Sequence, residues 1–208
     1  MNRETIKGIM IAISKEISEN RDYLVELDQV NGDGDLGISM DDGYQALVQH
    51  LKETEETDLG KIMMSCGKVF NTSAPSSLGT ITSFGFMGMA KELKGKENVT
   101  FKEGAKALFA GVENIMVKAE SDVGEKTIVD SLYPAAKALL EYEGDKKGAI
   151  IHAFEVAKAG SEATKQMKAV HGRAVYSSER SIGILDGGSV VGMLIFKGIK
   201  EYYQNQEE

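Results

Sequence analysis

Apolar residues recur at helical spacing through almost the whole chain. In residues 2–20, for example, Ile6, Ile9, Ile13 and Ile17 follow one another at steps of three and four residues, which places them on one face of an α-helix. Only two prolines occur in 208 residues, so helices are rarely interrupted. Eight segments show helical patterns, and none shows a hairpin or a βαβ period. We therefore expect an all-α bundle that forms one domain over residues 1–208.

The stretch from Asp28 to Met40 is the most unusual part of the chain, since it carries three carboxylates, Asp28, Asp33 and Asp35, separated by glycines. Neither a helix nor a strand places these offsets on one face, so the backbone must turn there, as glycine permits. Clustered carboxylates repel one another, and a hard cation such as Mg²⁺ or Ca²⁺ removes that cost. The pattern predicts a Mg²⁺ site that holds phosphates; a solvated acidic loop is the alternative.

Charge and composition exclude several classes of partner. The net charge is −8 and the isoelectric point is about 5.1, which argues against binding to nucleic acid or to an anionic membrane surface. No apolar run approaches the length of a membrane span, and the N-terminus lacks a secretory signal. Cys66 is the only cysteine, which excludes an intrachain disulfide and a thiolate zinc cluster. We expect a cytoplasmic protein.

The loops between helices predict where a site would form. Helices are expected from about Ser39 to Lys52, from Lys126 to Tyr142 and from Ser189 to about Tyr203. In an up-down bundle, loops separated by pairs of helices lie at the same end. Four loops meet that condition: 28–38, 71–78, 119–125 and 169–188.

These loops carry groups that suit a nucleotide. Serines 73, 76 and 77 offer hydroxyl groups and amides at a helix start, which bind phosphate. Arg173 and Arg180 offer guanidinium forks that match phosphate, and Asp186 precedes two glycines at the start of the last helix. Each feature alone has an ordinary explanation as a cap, a surface pair or a turn. Their convergence at one end predicts a nucleotide site.

Taken together, the loops resemble the nucleotide-binding L subunit, or L domain, of dihydroxyacetone kinases. The resemblance runs in order along nearly the whole chain. The motifs that carry it are L-D-Q-V-N-G-D-G-D-L-G (27–37), the small-residue loop 73–80, G-E-K-T-I-V-D (124–130), G-R-A-V-Y-S-S-E-R-S-I-G (172–183) and D-G-G (186–188).

The resemblance implies a barrel of eight antiparallel, up-down helices with the nucleotide at one end. It implies bound ADP or ATP and two Mg²⁺ ions held by Asp28, Asp33 and Asp35, and it assigns no catalytic residue to this chain. The remaining nucleotide-binding residues that it implies contact the phosphates or wall the base. They are Leu36, Gly37, Ile38, Ser39, Ser73, Ala74, Arg173, Asp186, Gly187 and Gly188, with Ala119 and Ile128 around the base.

The resemblance also implies a kinase subunit that is active only with partners. A K subunit would hold dihydroxyacetone or a related short ketose, and a phosphohistidine M subunit of the phosphotransferase system would rephosphorylate the bound nucleotide. The chain looks like the stand-alone form of the L subunit. It departs from the family pattern at Leu36, Ser39, the S-A-P-S of 73–76 and the D-G-G of 186–188. The alternative is therefore a non-catalytic, nucleotide-sensing or regulatory protein of the same fold.

A calcium loop is a further alternative for the acidic stretch. Asn31, Asp33 and Asp35 match the first three ligands of an EF-hand. However, Leu36 stands where that loop needs glycine, and Asp42 stands where a bidentate glutamate is usual.

Overall fold

The first helix begins with a reciprocal cap. In this computed structural model, which describes residues 1–30, 32–172, 175, 179 and 181–206, the Asn2 side chain accepts the Thr5 N–H at 3.0 Å and the Thr5 hydroxyl accepts the Asn2 N–H at 3.3 Å. This capping box satisfies two backbone donors at the helix start. The helix then buries Ile6, Ile13 and Ile17, as their spacing predicts.

Within the described residues the chain forms nine α-helices and one 3₁₀ turn. The helices are α1 (Arg3–Glu19), α2 (Arg21–Gln29), α3 (Leu36–Glu53), α4 (Leu59–Ser73), α5 (Ser77–Leu93), α6 (Phe101–Ala119), α7 (Val129–Glu141), α8 (Lys146–Ala163) and α9 (Gly187–Gln204), with the 3₁₀ turn at Thr164–Gln166.

Eight of these helices close into a ring. Each of α3 to α8 packs against the helix that follows it in the chain, α9 packs against α1, and α1 packs against α3. Because successive helices are neighbours, they run up and down around a shared core. The all-α fold and the eight-helix barrel are therefore confirmed, and the short α2 is an addition that packs on α3 and α9.

The structure adds one helix and moves the start of two others. Residues 21–29 form a helix of their own, separated from α1 only by Asn20. The helix expected from Ser39 begins at Leu36. The helix expected from Lys126 begins at Val129, because Lys126 has a left-handed backbone with φ of 62°, which a right-handed helix cannot contain.

The early start of α3 also excludes the calcium loop. An EF-hand loop that began at position 31 would run through Asp42. Residues 36–42 instead belong to the first two turns of α3. The EF-hand alternative is therefore wrong.

Glycines allow two helices of the ring to approach closely. A Cβ atom on Gly88 of α5 would lie 2.8 Å from the Ala110 carbonyl oxygen of α6, and one on Gly111 would lie 2.8 Å from the Gly85 carbonyl oxygen. Both distances are shorter than van der Waals contact, so the contact between α5 and α6 depends on these glycines. The barrel encloses an apolar cavity of about 130 Å³. Among the described helices, none has the length and hydropathy to cross a bilayer.

The two ends of the barrel differ. At one end, short connections are tied together: the Val99 N–H donates to the Met1 carbonyl at 2.9 Å, and the Leu59 N–H donates to the Lys96 carbonyl at 2.7 Å. We call this the closed end. The connections after α2, α4, α6 and α8 lie at the other end, where the expected loops converge.

Candidate functional site

The four loops surround one cleft at the open end of the barrel. The cleft has a volume of about 700 Å³ and is lined by residues from three of the four loops, 28–38, 71–78 and 169–188, and by Lys126, which directly follows the loop 119–125. The lining residues are Leu27, Asp28, Gly32, Asp33, Asp35, Leu36, Pro75, Ser76, Ser77, Leu78, Thr80, Lys126, His171, Gly172, Leu185, Asp186 and Gly187. The convergence expected from helix connectivity is thus present in the structure.

Three aspartates form an acidic cluster on one side of the cleft. Asp28 lies in the last turn of α2, Asp33 lies in the following turn, and Asp35 immediately precedes α3. One carboxylate oxygen from each residue lies within 4.8 Å of the others. Oxygen ligands of one hard divalent cation, or of two adjacent cations, are separated by distances of this order. The donor set and its spacing therefore fit Mg²⁺.

The backbone around the aspartates is shaped by glycines. The Asp28 carboxylate accepts the N–H of Gly34 at 2.8 Å, and Gly34 has φ of +78°, a conformation that glycine adopts without cost. A Cβ atom on Gly37 would collide with the Arg21 carbonyl oxygen and lie 3.0 Å from the Val25 nitrogen. Gly37 therefore lets α3 approach α2 closely enough to bring Asp35 to Asp28.

The N-terminus of α5 forms the facing side of the cleft. Ser76 caps this helix by accepting the N–H of Gly79 at 3.1 Å. Ser77 and Thr80, in the first turn, line the cleft. The first N–H groups of a helix have no partner within it, and the helix dipole favours negative charge at this position. The arrangement suits an anion held between α5 and a cation on the aspartates.

A buried ion cluster closes the base of the cleft. Asp186 caps α9 by accepting the N–H of Ser189 at 2.6 Å. Burial raises the pKa of Asp186 to about 7, with smaller opposing effects from the Ser189 N–H and from Lys126. Lys126 is only 6% exposed. Burial lowers the pKa of its ammonium, while the negative charges of Asp186 and Asp130 act in the opposite direction.

An ion pair links two of the loops beside the cleft. The His171 Nε2 atom lies 2.5 Å from an oxygen of Glu125. The pKa of Glu125 lies below its ordinary value, first because its carboxylate accepts the N–H of Asp122 and then because of the bond to His171. This contact joins the loop before α7 to the long segment before α9.

The structure separates the expected site residues into groups. Asp28, Asp33, Asp35, Leu36, Asp186 and Gly187 line the cleft, and Ile38 is 42% exposed near it. Gly37, Ser39 and Ala74 are buried behind the surface of the cleft. Ser73 ends α4, Ala119 ends α6, and Gly188 is in the first turn of α9. Ile128 is 3% exposed and lines the apolar cavity of the barrel. Arg173 and Arg180 lie outside the described residues.

Two residues of the cleft were not anticipated. Lys126 is part of the quoted motif at 124–130, but its side chain was given no role. His171, which precedes Gly172 and Arg173 in the sequence, was likewise given no role. Its position directly before the G-R-A motif is the signal that could have indicated the cleft.

The ring of helices and the acidic cleft at one end define the class of the protein as an all-α barrel with a site between its loops. A sequence model of the DAK2 domain family matches residues 30–201. The chain therefore belongs to the DAK2 domain family, and the resemblance expected from the motifs is confirmed.

Relatives of known identity cover most of the chain. It is 33% identical over 182 residues to the ADP-binding subunit of PEP-dependent dihydroxyacetone kinase 1 from Listeria innocua, covering 88% of this chain and 87% of that protein. It is 26% identical over 200 residues to the ADP-binding subunit of the PEP-dependent dihydroxyacetone kinase of Escherichia coli, covering 95% of each.

A solved structure shares the fold. The crystal structure of the dihydroxyacetone kinase from Citrobacter freundii in complex with AMP-PNP and Mg²⁺ superposes with a TM-score of 0.74 at 24% identity. The superposition covers 94% of this chain and 33% of that chain, so the barrel corresponds to about a third of the larger enzyme.

Proposed function

We propose that this chain is the nucleotide-binding subunit of a dihydroxyacetone kinase, which holds ADP or ATP with Mg²⁺ at the open end of its barrel. The observation that carries the proposal is the position of the three aspartates, which face the N-terminus of α5 across one cleft in a DAK2-family chain. A nucleotide polyphosphate needs both a cation and amide donors for its negative charge. The cleft offers both on facing sides.

Asp28, Asp33 and Asp35 are proposed to hold two Mg²⁺ ions. Three carboxylates bring three negative charges, which exceed the charge of one divalent cation and suit a pair. The ions would supply charge neutralisation and orientation for the phosphates. The chain itself positions the carboxylates, through the turn at Gly34 and the close contact of Gly37 with α2.

The other proposed contacts to the nucleotide come from the loops at the same end of the barrel. Leu36, Gly37 and Ile38 supply the free amides at the start of α3, whereas the Ser39 N–H donates to the Asp35 carbonyl at 2.8 Å, so that Ser39 would act through its hydroxyl group. Ser73 and Ala74 lie at the turn into α5. Arg173 would add a guanidinium to the phosphates, while Asp186, Gly187 and Gly188 form the start of α9 beneath them. Ala119 and Ile128 are the proposed neighbours of the base, and Ile128 would reach it only from the core side.

The proposed reaction needs two partners. A K subunit would present dihydroxyacetone or a related short ketose to the nucleotide, and a phosphohistidine M subunit of the phosphotransferase system would rephosphorylate the ADP in place. The names of two relatives support this, since they describe ADP-binding subunits of PEP-dependent dihydroxyacetone kinases. We also propose that residues 1–208 form one functional domain and that the protein works in the cytoplasm. The reducing cytoplasm suits a chain whose one cysteine, Cys66, is a buried free thiol.

The second candidate is a non-catalytic protein that senses nucleotide. Leu36 favours it, because this apolar side chain lines the cleft directly beside Asp35 and offers phosphate only its backbone N–H. A Cβ atom on Gly187 would lie 2.5 Å from the Leu36 side chain, so the leucine is packed against the start of α9. Such a site would bind nucleotide without supporting transfer.

Two measurements test the proposal and separate the candidates. The purified chain is denatured, and the released small molecules are identified by mass spectrometry; we expect about one ADP or ATP per chain, with Mg²⁺. The folded chain is then combined with K and M subunits and phosphoenolpyruvate. Phosphorylation of dihydroxyacetone that stops when any subunit is omitted supports the kinase, whereas bound nucleotide without transfer favours sensing. A chain that neither carries nor binds Mg·ADP contradicts both.

A further inference from the structure

Lys126 has an unusual backbone for a residue with a side chain. Its φ of 62° lies in the left-handed region, which is unfavourable for an L-residue with a side chain. Glycine would adopt this conformation freely. The side chain is nevertheless 94% removed from solvent, since only 6% of it is exposed. The strained backbone directs the ammonium group into the base of the cleft.

The ammonium group is surrounded by backbone carbonyl oxygens. Lys126 Nζ donates to the carbonyl oxygens of Thr164 at 2.6 Å, Ser181 at 2.8 Å and Ile184 at 2.7 Å. An ammonium has three donors, so these contacts use its whole donor capacity. All three acceptors belong to the long connection between α8 and α9. Lys126, in the loop before α7, therefore binds both the start and the end of the connection between α8 and α9.

These contacts lie where the two ends of a long loop meet. We call residues 165–183 the excursion, and we call the place where its two ends meet the neck. The Gly183 N–H donates to the Lys165 carbonyl at 2.7 Å, and the Asp186 N–H donates to the Thr164 hydroxyl at 3.0 Å. The two ends of the excursion thus meet around Lys126. Within the excursion, His171 and Gly172 line the cleft.

The turn that carries Lys126 is itself fixed. Asp130, at the start of α7 and 2% exposed, accepts the N–H of Gly124 at 2.6 Å and the N–H of Thr127 at 2.7 Å. Asp130 and Asp186 are the acidic groups that act on the Lys126 charge. A buried cation that is hydrogen-bonded on all three protons, and faces two carboxylates, is costly to remove. The neck is therefore a rigid attachment point.

We propose that Lys126 is a positioning residue for the nucleotide, which holds the excursion so that its wall stands opposite the aspartate cluster. The proposal rests on the proposed function, because it concerns the affinity of the same cleft. Lys126 does not contact the nucleotide in this account. It acts through the carbonyls of Thr164, Ser181 and Ile184 at the two ends of the segment that brings His171 and Gly172 to the cleft.

The test compares two variants with a matched control. Lys126→Met removes the donors and keeps the length of the side chain. Lys126→Gly also removes the left-handed strain and so protects the fold. Lys118→Met removes an exposed lysine from the last turn of α6 at the same end of the barrel.

Two properties are measured on each protein. Calorimetry gives the Kd for Mg·ADP, and mass spectrometry follows tryptic cleavage of the nucleotide-free protein at the four basic residues of the excursion, Lys165, Lys168, Arg173 and Arg180. We expect both Lys126 variants to bind Mg·ADP about tenfold or more weakly, because a site wall without its support loses its geometry. We also expect cleavage in the excursion to be several-fold faster. The Lys118→Met control should match the wild type.

A chemical rescue separates positioning from a general loss of stability. In Lys126→Cys, treatment with 2-bromoethylamine forms a carbon–sulfur bond with loss of bromide and regenerates an ammonium at nearly the original length. The other cysteine, Cys66, is fully buried in the folded protein and burial raises the pKa of its thiol to about 12, so it is protected from alkylation. We expect the alkylated protein to recover affinity and protease resistance towards wild-type values.

The outcomes are distinct. Wild-type affinity in both Lys126 variants, or weaker binding without faster cleavage in the excursion, would overturn the proposal. Failure of the alkylated protein to recover would overturn it as well. If the wild type and the Lys118→Met control bind no Mg·ADP, the proposed function has failed. The cleavage measurement then still decides whether Lys126 holds the excursion.

Discussion

The hydroxyl oxygens of Ser39 and Ser76 lie 3.0 Å apart. Ser39 is in the first turn of α3, directly after the aspartate cluster, and Ser76 caps α5. Because this bond joins the helix start next to the aspartates to the helix start that faces them, it fixes the width of the cleft between the aspartates and the amides of α5. Two loops that are separated by 37 residues thus form one unit.

A double-mutant cycle on Ser39 and Ser76 tests whether their hydroxyl groups stabilise the fold by interacting. Ser39→Ala should lower the free energy of unfolding by about 1 kcal/mol, the usual contribution of a buried hydrogen bond. Ser76→Ala should cost more, since it also removes a helix cap worth about 1 kcal/mol. The double variant should be less destabilised than the sum of the two by about 0.5–1 kcal/mol. Urea unfolding measures all three, and strict additivity would show that the hydroxyls do not interact.

Gly37→Ala should disturb the metal site through the backbone. The added methyl group would collide with the Arg21 carbonyl oxygen, so α3 must move away from α2 and carry Asp35 away from Asp28. We expect a loss of about 1–3 kcal/mol in unfolding free energy and weaker Mg²⁺ binding by calorimetry.

Gly104→Ala is the matched control for this substitution. Gly104 lies within α6 near the closed end, where a Cβ atom would meet only the end of the flexible Met1 side chain at 3.1 Å. Alanine should stabilise this helix by a few tenths of a kcal/mol or more and leave Mg²⁺ binding unchanged. Equal Mg²⁺ affinity in both alanine variants would refute the role of the Gly37 contact.

The pH dependence of stability should reveal the partly buried Asp186 at the base of the cleft. Burial raises the pKa of this carboxyl in the folded protein to about 7, from an ordinary value of 3.8. Its contribution to stability is therefore fully present below about pH 4 and is lost as the pH rises through 7. With Asp186→Asn, which keeps a capping side chain but cannot titrate, the stability of the wild type relative to the variant should fall between pH 4 and pH 8.

This comparison is made in EDTA, so that no divalent cation alters the charges near the cleft. Asp122→Asn serves as the control, because Asp122 is exposed in the loop before α7. The difference between wild type and that control should stay constant over the same range. A constant or rising difference for Asp186→Asn would contradict the burial of its charge.

Stability at the closed end should be separable from binding at the open end. Thr100 caps α6 and forms a reciprocal capping box with Glu103. Thr100→Ala should therefore cost about 1 kcal/mol in unfolding free energy. Its Kd for Mg·ADP should equal that of the wild type, and a changed Kd would mean that the two ends of the barrel are coupled.

Much of the architecture follows from local patterns. The isoleucines of α1 lie at helical spacing, and the capping box at Thr100 marks the start of α6. The separation of the four loops by pairs of helices was enough to place them at the same end. The clustering of the aspartates could be predicted because the glycines between them allow the backbone to turn and bring the three carboxylates together.

The features that escaped prediction depend on the backbone. Helix α2 has only nine residues and buries only Leu24 fully, with Leu27 packed partly against the core, so its apolar stripe is too short for a pattern to identify as a helix. The partners of Lys126 are carbonyl oxygens 38 to 58 residues further along the chain, and carbonyls are the same in every residue type. The late start of α7 depends on the left-handed backbone of Lys126, a conformation that non-glycine residues seldom adopt. Tertiary contacts, rather than local sequence, determine these features.

The most direct test of the account is a calorimetric titration of Mg·ADP into the nucleotide-free chain and into Asp33→Asn. Asp122→Asn, an exposed carboxylate change at the same end of the barrel, is the control. We expect the wild type and Asp122→Asn to bind about one nucleotide per chain, and we expect binding to vanish in Asp33→Asn and in the wild type with EDTA. Wild-type affinity in Asp33→Asn, or no binding by the wild type, would contradict the assignment of the aspartate cluster to a metal–nucleotide site.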